Sequence, residues 1–275
     1  MLKRTGRSGF SLVELLITVA LVGLMVSAVA GVYQISQESY TRASSLEAAQ
    51  LGARAGVDRM ANELRLIGSY WVGASCVETN CNAITAASSY SITFRANVDD
   101  FSIIGGAEAR VRDGSTATGA TVPLNIAATA INNAFKCYSK STLNDYIYIA
   151  NGGTREVRRI ATITNNPTCN NSSDRTITLA SDLGSPYPAG SLVRDVKTIT
   201  YVLNGTTLTR SQNGSGADPF INNVSGLTFT YFSFDGATTT TDPALIREIH
   251  IDLTVLGPDG SPRRMITRVK PRNLP

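Results

Sequence analysis

From Leu15 to Gln37 the chain carries 23 consecutive uncharged residues, most of them apolar. As an α-helix that run is about 34 Å long, enough to cross a hydrocarbon layer of about 30 Å. Lys3, Arg4 and Arg7 lie just before it. Basic residues on that flank hold the N-terminal end in the cytoplasm, so everything after the span is expected on the far side of the membrane.

Those three cations also account for most of the formal charge of +4; the rest of the chain holds 22 basic and 21 acidic groups. A near-neutral remainder excludes non-specific phosphate binding as a bulk property, so nucleic acid is an unlikely partner. With 43% hydrophobic and 17% charged residues, the chain is not disordered along most of its length.

One residue does not suit a plain anchor. Glu14 sits among Leu12, Val13, Leu15 and Leu16, and an unpaired carboxylate at a membrane costs several kcal/mol, about 3 on insertion scales. A short basic leader ends at Gly9, and Phe10-Ser11-Leu12-Val13-Glu14 then opens the apolar helix. This pattern resembles the type IV prepilin family. The resemblance implies cleavage between Gly9 and Phe10 by a membrane-embedded prepilin peptidase, followed by N-methylation of Phe10. It also implies that Glu14 neutralises the N-terminal amine of a neighbouring subunit during insertion. An ammonium and a carboxylate are each unfavourable in lipid, and each relieves the other when two helices stack with an axial offset. The rival reading is a secretory signal cut after Ala28-Val29-Ala30, leaving a soluble protein that starts at Gly31. Glu14 would then interrupt the apolar block.

The helical pattern continues beyond the span. Leu46, Ala49, Ala53, Val57, Met60, Leu64 and Ile67 recur at three- and four-residue steps, which predicts one apolar face. Arg54–Asp58 and Arg59–Glu63 are spaced as ion pairs on its polar side. The helix is expected over 10–68, with Gly68-Ser69 as its stop and about 12–37 in the membrane. Residues 1–9 form the leader and 69–275 a β-rich periplasmic head. Within the head, strands are expected at Tyr90–Arg95, Tyr146–Ala150, Val157–Ile163, Thr176–Leu179, Leu192–Leu203, Thr206–Arg210, Leu227–Phe234, Ile246–Leu256 and Arg263–Lys270. Asn151-Gly152-Gly153 and Asn204-Gly205 read as hairpin turns. Asp113–Thr121, Asn165–Asp174 and Ser211–Asp218 read as polar surface loops.

The last hairpin allows a register to be set. Ile249, Ile251, Leu253 and Val255 share one face of their strand, and Met265, Thr267 and Val269 form the less polar face of the return. Matching apolar to apolar places Leu253 opposite Met265 and Ile249 opposite Val269, because a one-residue slip inverts every side chain. Glu248 then faces Lys270, His250 faces Arg268, and the loop is the five residues Gly257–Ser261. The fold class that follows is α+β and pilin-like: a long N-terminal helix packed on an antiparallel head.

Cys76, Cys81, Cys137 and Cys169 lack paired C-x-x-C spacing, and His250 is the single histidine. Disulfides in an oxidising compartment are therefore favoured over zinc. Three connectivities are open, and Cys76–Cys81 with Cys137–Cys169 is the expected one. No catalytic apparatus, cofactor or metal site is expected. Gly214-Ser215-Gly216 lacks the context of a phosphate loop, and Asp99, Asp100 and Asp259 lack a calcium ligand ladder. Tyr70 and Trp71, just past the helix, are expected to pack against the head. Arg155, Arg158 and Arg159, or Arg263, Arg264 and Arg268, are the candidate basic clusters for an adhesin or DNA-capturing role.

The long cysteine-bearing head and the ending from Ile246 to Asn273 resemble the PilW group of minor pilins and, similarly, the J-class minor pseudopilins of type II secretion. That likeness implies a non-enzymatic assembly subunit. Its partners would be prepilin peptidase, other minor and major pilins, and an inner-membrane assembly platform.

Overall fold

A computed structural model describes residues 11–70, 83–98, 109–125, 146–164 and 175–274. Over them the fold is α+β, one helix and fifteen strands, and every strand pairing is antiparallel. Helix α1 runs Leu12–Arg65 without a break, 54 residues or about 81 Å. The first proline of the chain is Pro123, so no ring interrupts it.

The helix stops two residues before the end of its apolar period. The N–H groups of Leu66 and Ile67 donate to the carbonyls of Glu63 and Leu64, three residues back. Gly68 then turns left-handed at φ +75°, the usual conformation at a helix C-terminus. Its N–H donates to the Arg95 carbonyl at 3.1 Å. A Cβ there would stand 3.1 Å from the Asn273 carbonyl oxygen.

Strands β1 (Ile84–Ala87) and β2 (Ser91–Ala96) form the first hairpin. Then come β3 (Ala109–Val111), β4 (Thr116–Ala117), β5 (Thr121–Asn125), β6 (Tyr146–Asn151), β7 (Thr154–Thr164), β8 (Arg175–Leu179) and β9 (Tyr187–Pro188). The long strand β10 (Leu192–Asn204) precedes β11 (Thr207–Gln212), β12 (Asp218–Ile221), β13 (Val224–Phe232), β14 (Glu248–Leu256) and β15 (Pro262–Val269). The largest sheet has ten strands, with β1-β2-β10-β3-β5-β8-β7-β6 along its path, and β13-β14-β15 make a separate three-stranded sheet.

Two compact units divide the chain: Met1–Leu51 with Gly257–Ser261, and Gly52–Leu256 with Pro262–Pro275. In the first, α1 leaves most of its apolar residues exposed. In the second, Ala53, Val57, Met60 and Leu64 on the remainder of α1 are buried, as is Ile67 just beyond it. They share a core with Ile92 and Phe94 of β2, Ile199 and Tyr201 of β10, and Ile249, Ile251 and Leu253 of β14. A second core gathers Val122, Ile147, Ile149, Ile177, Leu179 and Val193. Strand β10 serves both regions. Its Leu192–Val196 stretch pairs with β6, and its Lys197–Val202 stretch pairs with β2.

The terminal hairpin has the expected register: Leu253 opposite Met265, Ile249 opposite Val269, His250 opposite Arg268, and Leu256 opposite Pro262 across the five-residue loop. Several other expectations are corrected. The β10–β11 turn is Gly205-Thr206, because Asn204 is already paired with Thr207. Gly205 has φ +59° and Thr206 is not left-handed, which fits a turn that takes glycine first. The stretch Asp113–Thr121 is not simply a loop, since it contains β4 with Ala117 fully buried. Ser211 and Gln212 belong to β11, and β12 begins at Asp218. Arg54 and Asp58 form no ion pair among the described residues, while Arg59 Nε reaches Glu63 Oε1 at 3.2 Å. The loop expected over 165–174 lies outside the described residues.

Gly68 supplies a first test. An L-residue held at positive φ is disfavoured by about 1–2 kcal/mol, and here a Cβ would also press on Asn273. Gly68→Ala is expected to lower the thermal midpoint of the detergent-solubilised chain, and differential scanning calorimetry reads the change.

Candidate functional site

Glu14 stands in the first turn of α1, where the helix dipole favours an acid. It is exposed, and so are its neighbours Leu12 at 75%, Val13 at 61%, Leu15 at 57% and Leu16 at 59%. No described residue brings a cation to Glu14. Thr18 Oγ1 donates back to the Glu14 and Leu15 carbonyls at 2.8 and 2.9 Å, which satisfies that hydroxyl within the helix. None of the eighteen consecutive residues in the most apolar stretch of α1 is buried. The described chain thus presents a membrane-length apolar helix with an acid at its start that no described cation compensates.

At the other end of α1, Glu63 departs from the sequence expectation. The i,i+4 spacing from Arg59 predicts it on the polar side, yet it is only 8% exposed. Its Oε2 accepts from the Tyr201 hydroxyl at 2.7 Å and from Arg210 Nε at 2.9 Å, while Oε1 accepts from Arg59. The Arg59 guanidinium lies 5.7 Å from the centre of the Phe220 ring, within cation–π range. Burial, reinforced by the charge and hydrogen bond of Glu63, pushes the Tyr201 phenol well above its ordinary range. Burial pulls the Arg210 guanidinium down, but the hydrogen bond and charge of Glu63 outweigh it and hold the group above its ordinary value. One helix carboxylate therefore joins β10 and β11 to the end of α1. The available signal was its spacing: Glu63 falls three residues after Met60, inside the apolar stripe.

A third group of ionisable residues lines the outer face of the β13-β14-β15 sheet. His250 Nε2–H donates to Glu248 Oε1 at 2.6 Å, and Lys270 Nζ reaches Glu248 Oε2 at 3.1 Å. His250 packs on Phe232 with ring centres 4.3 Å apart. Arg264 Nε donates to Asp252 Oδ1 at 2.9 Å and its Nη2 to Oδ2 at 2.5 Å. The hydrogen bond from His250, opposed by burial and aided by Lys270, holds the Glu248 carboxyl below the usual carboxylate range. The Arg264 hydrogen bond does the same for Asp252.

Other singled-out residues take structural places. Tyr70 is fully buried, its ring centre 5.6 Å from that of Tyr148. Arg158 is paired with Glu156, and its Nε donates to the Asp182 carbonyl. The Arg155–Arg158–Arg159 cluster is therefore not a row of free cations. Asp259 accepts from the N–H and hydroxyl of Ser261 as a turn acid. Around Gly214, Ser215 N–H donates to the Gln212 carbonyl and Asn213 is left-handed at φ 55°, a tight turn. Gly9, Phe10, Trp71, Cys76, Cys81, Asp99, Asp100, Cys137 and Cys169 lie outside the described residues.

Against known families, residues 4–30 match the Prokaryotic N-terminal methylation motif. No curated protein and no solved structure matches the chain. The motif, which runs into the first half of the long apolar helix, supports a protein of the type IV pilin or pseudopilin kind, and both features fit attachment to a membrane.

Two predictions follow from the charged groups. Removing Glu63 leaves Arg210 partly buried and unpaired, so Glu63→Ala should destabilise the chain by about 3 kcal/mol. Tyr201→Phe should cost only about 1 kcal/mol; chemical denaturation in detergent reads both. Glu248 and Asp252 have folded pKa values below their unfolded ones, near 4.3 and 3.9. Their contribution is therefore complete above a pH of about 5 and is lost as pH falls through the lower folded values. A thermal midpoint that is flat from neutrality to that point and then falls is expected, with a shallower fall in the Glu248→Gln/Asp252→Asn variant.

Proposed function

We propose that this chain is a minor type IV pilin, a non-enzymatic subunit that helps initiate or cap pilus assembly. On this reading residues 1–9 are a leader removed by prepilin peptidase between Gly9 and Phe10. Phe10 becomes the N-methylated first residue, and 10–68 is the long helix with about 12–37 in the inner membrane. Residues 69–275 are the periplasmic head, stabilised by disulfides among Cys76, Cys81, Cys137 and Cys169. The partners are other minor and major pilins and the assembly platform.

The observation that carries the proposal is Glu14, an acid with no cation among the described residues, at the head of an exposed apolar helix and inside the region matching the methylation motif. A lone carboxylate there is unfavourable in lipid. The N-terminal ammonium of a neighbouring helix, stacked with an axial offset, removes that cost for both chains. Such a group recruits the chain to a growing bundle rather than to a substrate.

Glu14→Ala tests this in the native membrane. Leader removal should continue, while recovery of the protein in sheared filaments should fall by roughly tenfold or more, the effect of losing about 1.4 kcal/mol of insertion energy. Unchanged recovery would remove the proposed role of Glu14. Deletion of the gene separates the pilin from a J-class pseudopilin of type II secretion: loss of surface pili is expected, and loss of exoprotein export alone points to the secretion apparatus.

A further inference from the structure

The outer edge of β15 is an open strand edge that carries uncompensated positive charge. Gly257 N–H donates to the Ser261 carbonyl at 2.9 Å, and the same register runs on through the β14–β15 ladder. In an antiparallel pair the hydrogen-bonded positions alternate. The ladder bonds of β15 therefore fall at Arg263, Met265, Thr267 and Val269. The backbone N–H and C=O groups of Arg264, Ile266 and Arg268 point away from the sheet. Among the described residues β15 pairs only with β14, and no described backbone group meets those three residues.

The opposite edge of the same sheet is treated differently. On β13, Phe229 N–H donates to the Ser89 carbonyl and the Tyr231 carbonyl accepts from Thr240 N–H. The fold covers part of that edge with its own loops and leaves the β15 edge open.

Side chains indicate what the open edge accepts. Arg264 and Lys270 are matched by Asp252 and Glu248. Arg263 and Arg268 are exposed and have no carboxylate among the described residues. Ile266, 60% exposed, shares the face of Arg264 and Arg268. A second copy is a poor occupant, because antiparallel pairing about Ile266 sets Arg264 against Arg268, and like charges directly opposed are destabilising. Charged edges of this kind keep a sheet from extending with itself, while a strand of opposite sign meets no such barrier.

We propose that the β15 edge is a docking site for an extended, acidic strand of a neighbouring subunit, added to the sheet by backbone pairing. The incoming strand places an apolar residue opposite Ile266 and a carboxylate opposite Arg268. This rests on the reading of the chain as an assembling subunit. Filament recovery of Glu14→Ala and binding at the β15 edge are separate readouts, so the failure of one leaves the other standing.

The test uses the detergent-solubilised full chain and a fluorescent nine-residue peptide with Glu, Val and Glu at its central alternate positions and Thr between them. A matched peptide with Lys in place of Glu is the control. Anisotropy titration should show the acidic peptide binding more tightly, with affinity falling as salt rises. Ile266→Pro removes one outward N–H and no ladder bond, so it should weaken binding by about tenfold without loss of the folded circular dichroism signal. Should that variant misfold, the Arg263→Glu/Arg268→Glu chain decides the matter: its preference should switch to the Lys peptide. Equal binding of both peptides to the unaltered chain, or binding unchanged in the folded Ile266→Pro variant, overturns the proposal. Self-association in sedimentation velocity that Ile266→Pro abolishes, without peptide binding, assigns the edge to a second copy and also overturns it.

Discussion

One helix in this protein has to satisfy two surroundings. Over its first half, apolar side chains stand exposed on a continuous rod long enough to cross a bilayer. Over its last turns, Ala53, Val57, Met60 and Leu64 are closed into the core of a β-rich head. The sequence manages both in one continuous helix without a proline. What changes along the helix is the width of the apolar face: all round in the first half, a single stripe in the second. The ends are defined just as locally, by an acid in the first turn and a left-handed glycine after the last.

The two carboxylates of that helix show how environment assigns a role. Glu14 has no protein partner among the described residues, so its charge is available for a group from outside the chain. Glu63 has three donors, from Tyr201, Arg210 and Arg59, so its charge is consumed within the fold. Removing one member of such a buried set costs more than forming it contributes. The arrangement therefore resists partial opening of the helix from β10 and β11.

Legibility in the sequence followed the number of periods available. The β14–β15 hairpin carries four apolar alternations on β14 and a matching less polar face of Met265, Thr267 and Val269 on β15, and its register, its five-residue loop and the Glu248–Lys270 pair could all be read in advance. Elements of two to four residues, such as β3, β4, β9 and β12, offer one or two alternations and could not be separated from loops. The β10–β11 turn was placed one residue early because Asn-Gly and Gly-Thr both allow a tight turn, and only the pairing of Asn204 with Thr207 decides between them. Glu63 was missed for a related reason. Its spacing fits the stripe, but its burial depends on Tyr201 and Arg210, some 140 residues later in the chain.

The account depends on a processed N-terminus that delivers an ammonium to the level of a neighbour's Glu14. Intact mass and N-terminal sequencing of the protein extracted from its native membrane address this most directly. A chain beginning at methylated Phe10 is the predicted result. A chain that still carries Met1–Gly9, or one that begins at Gly31, would contradict it.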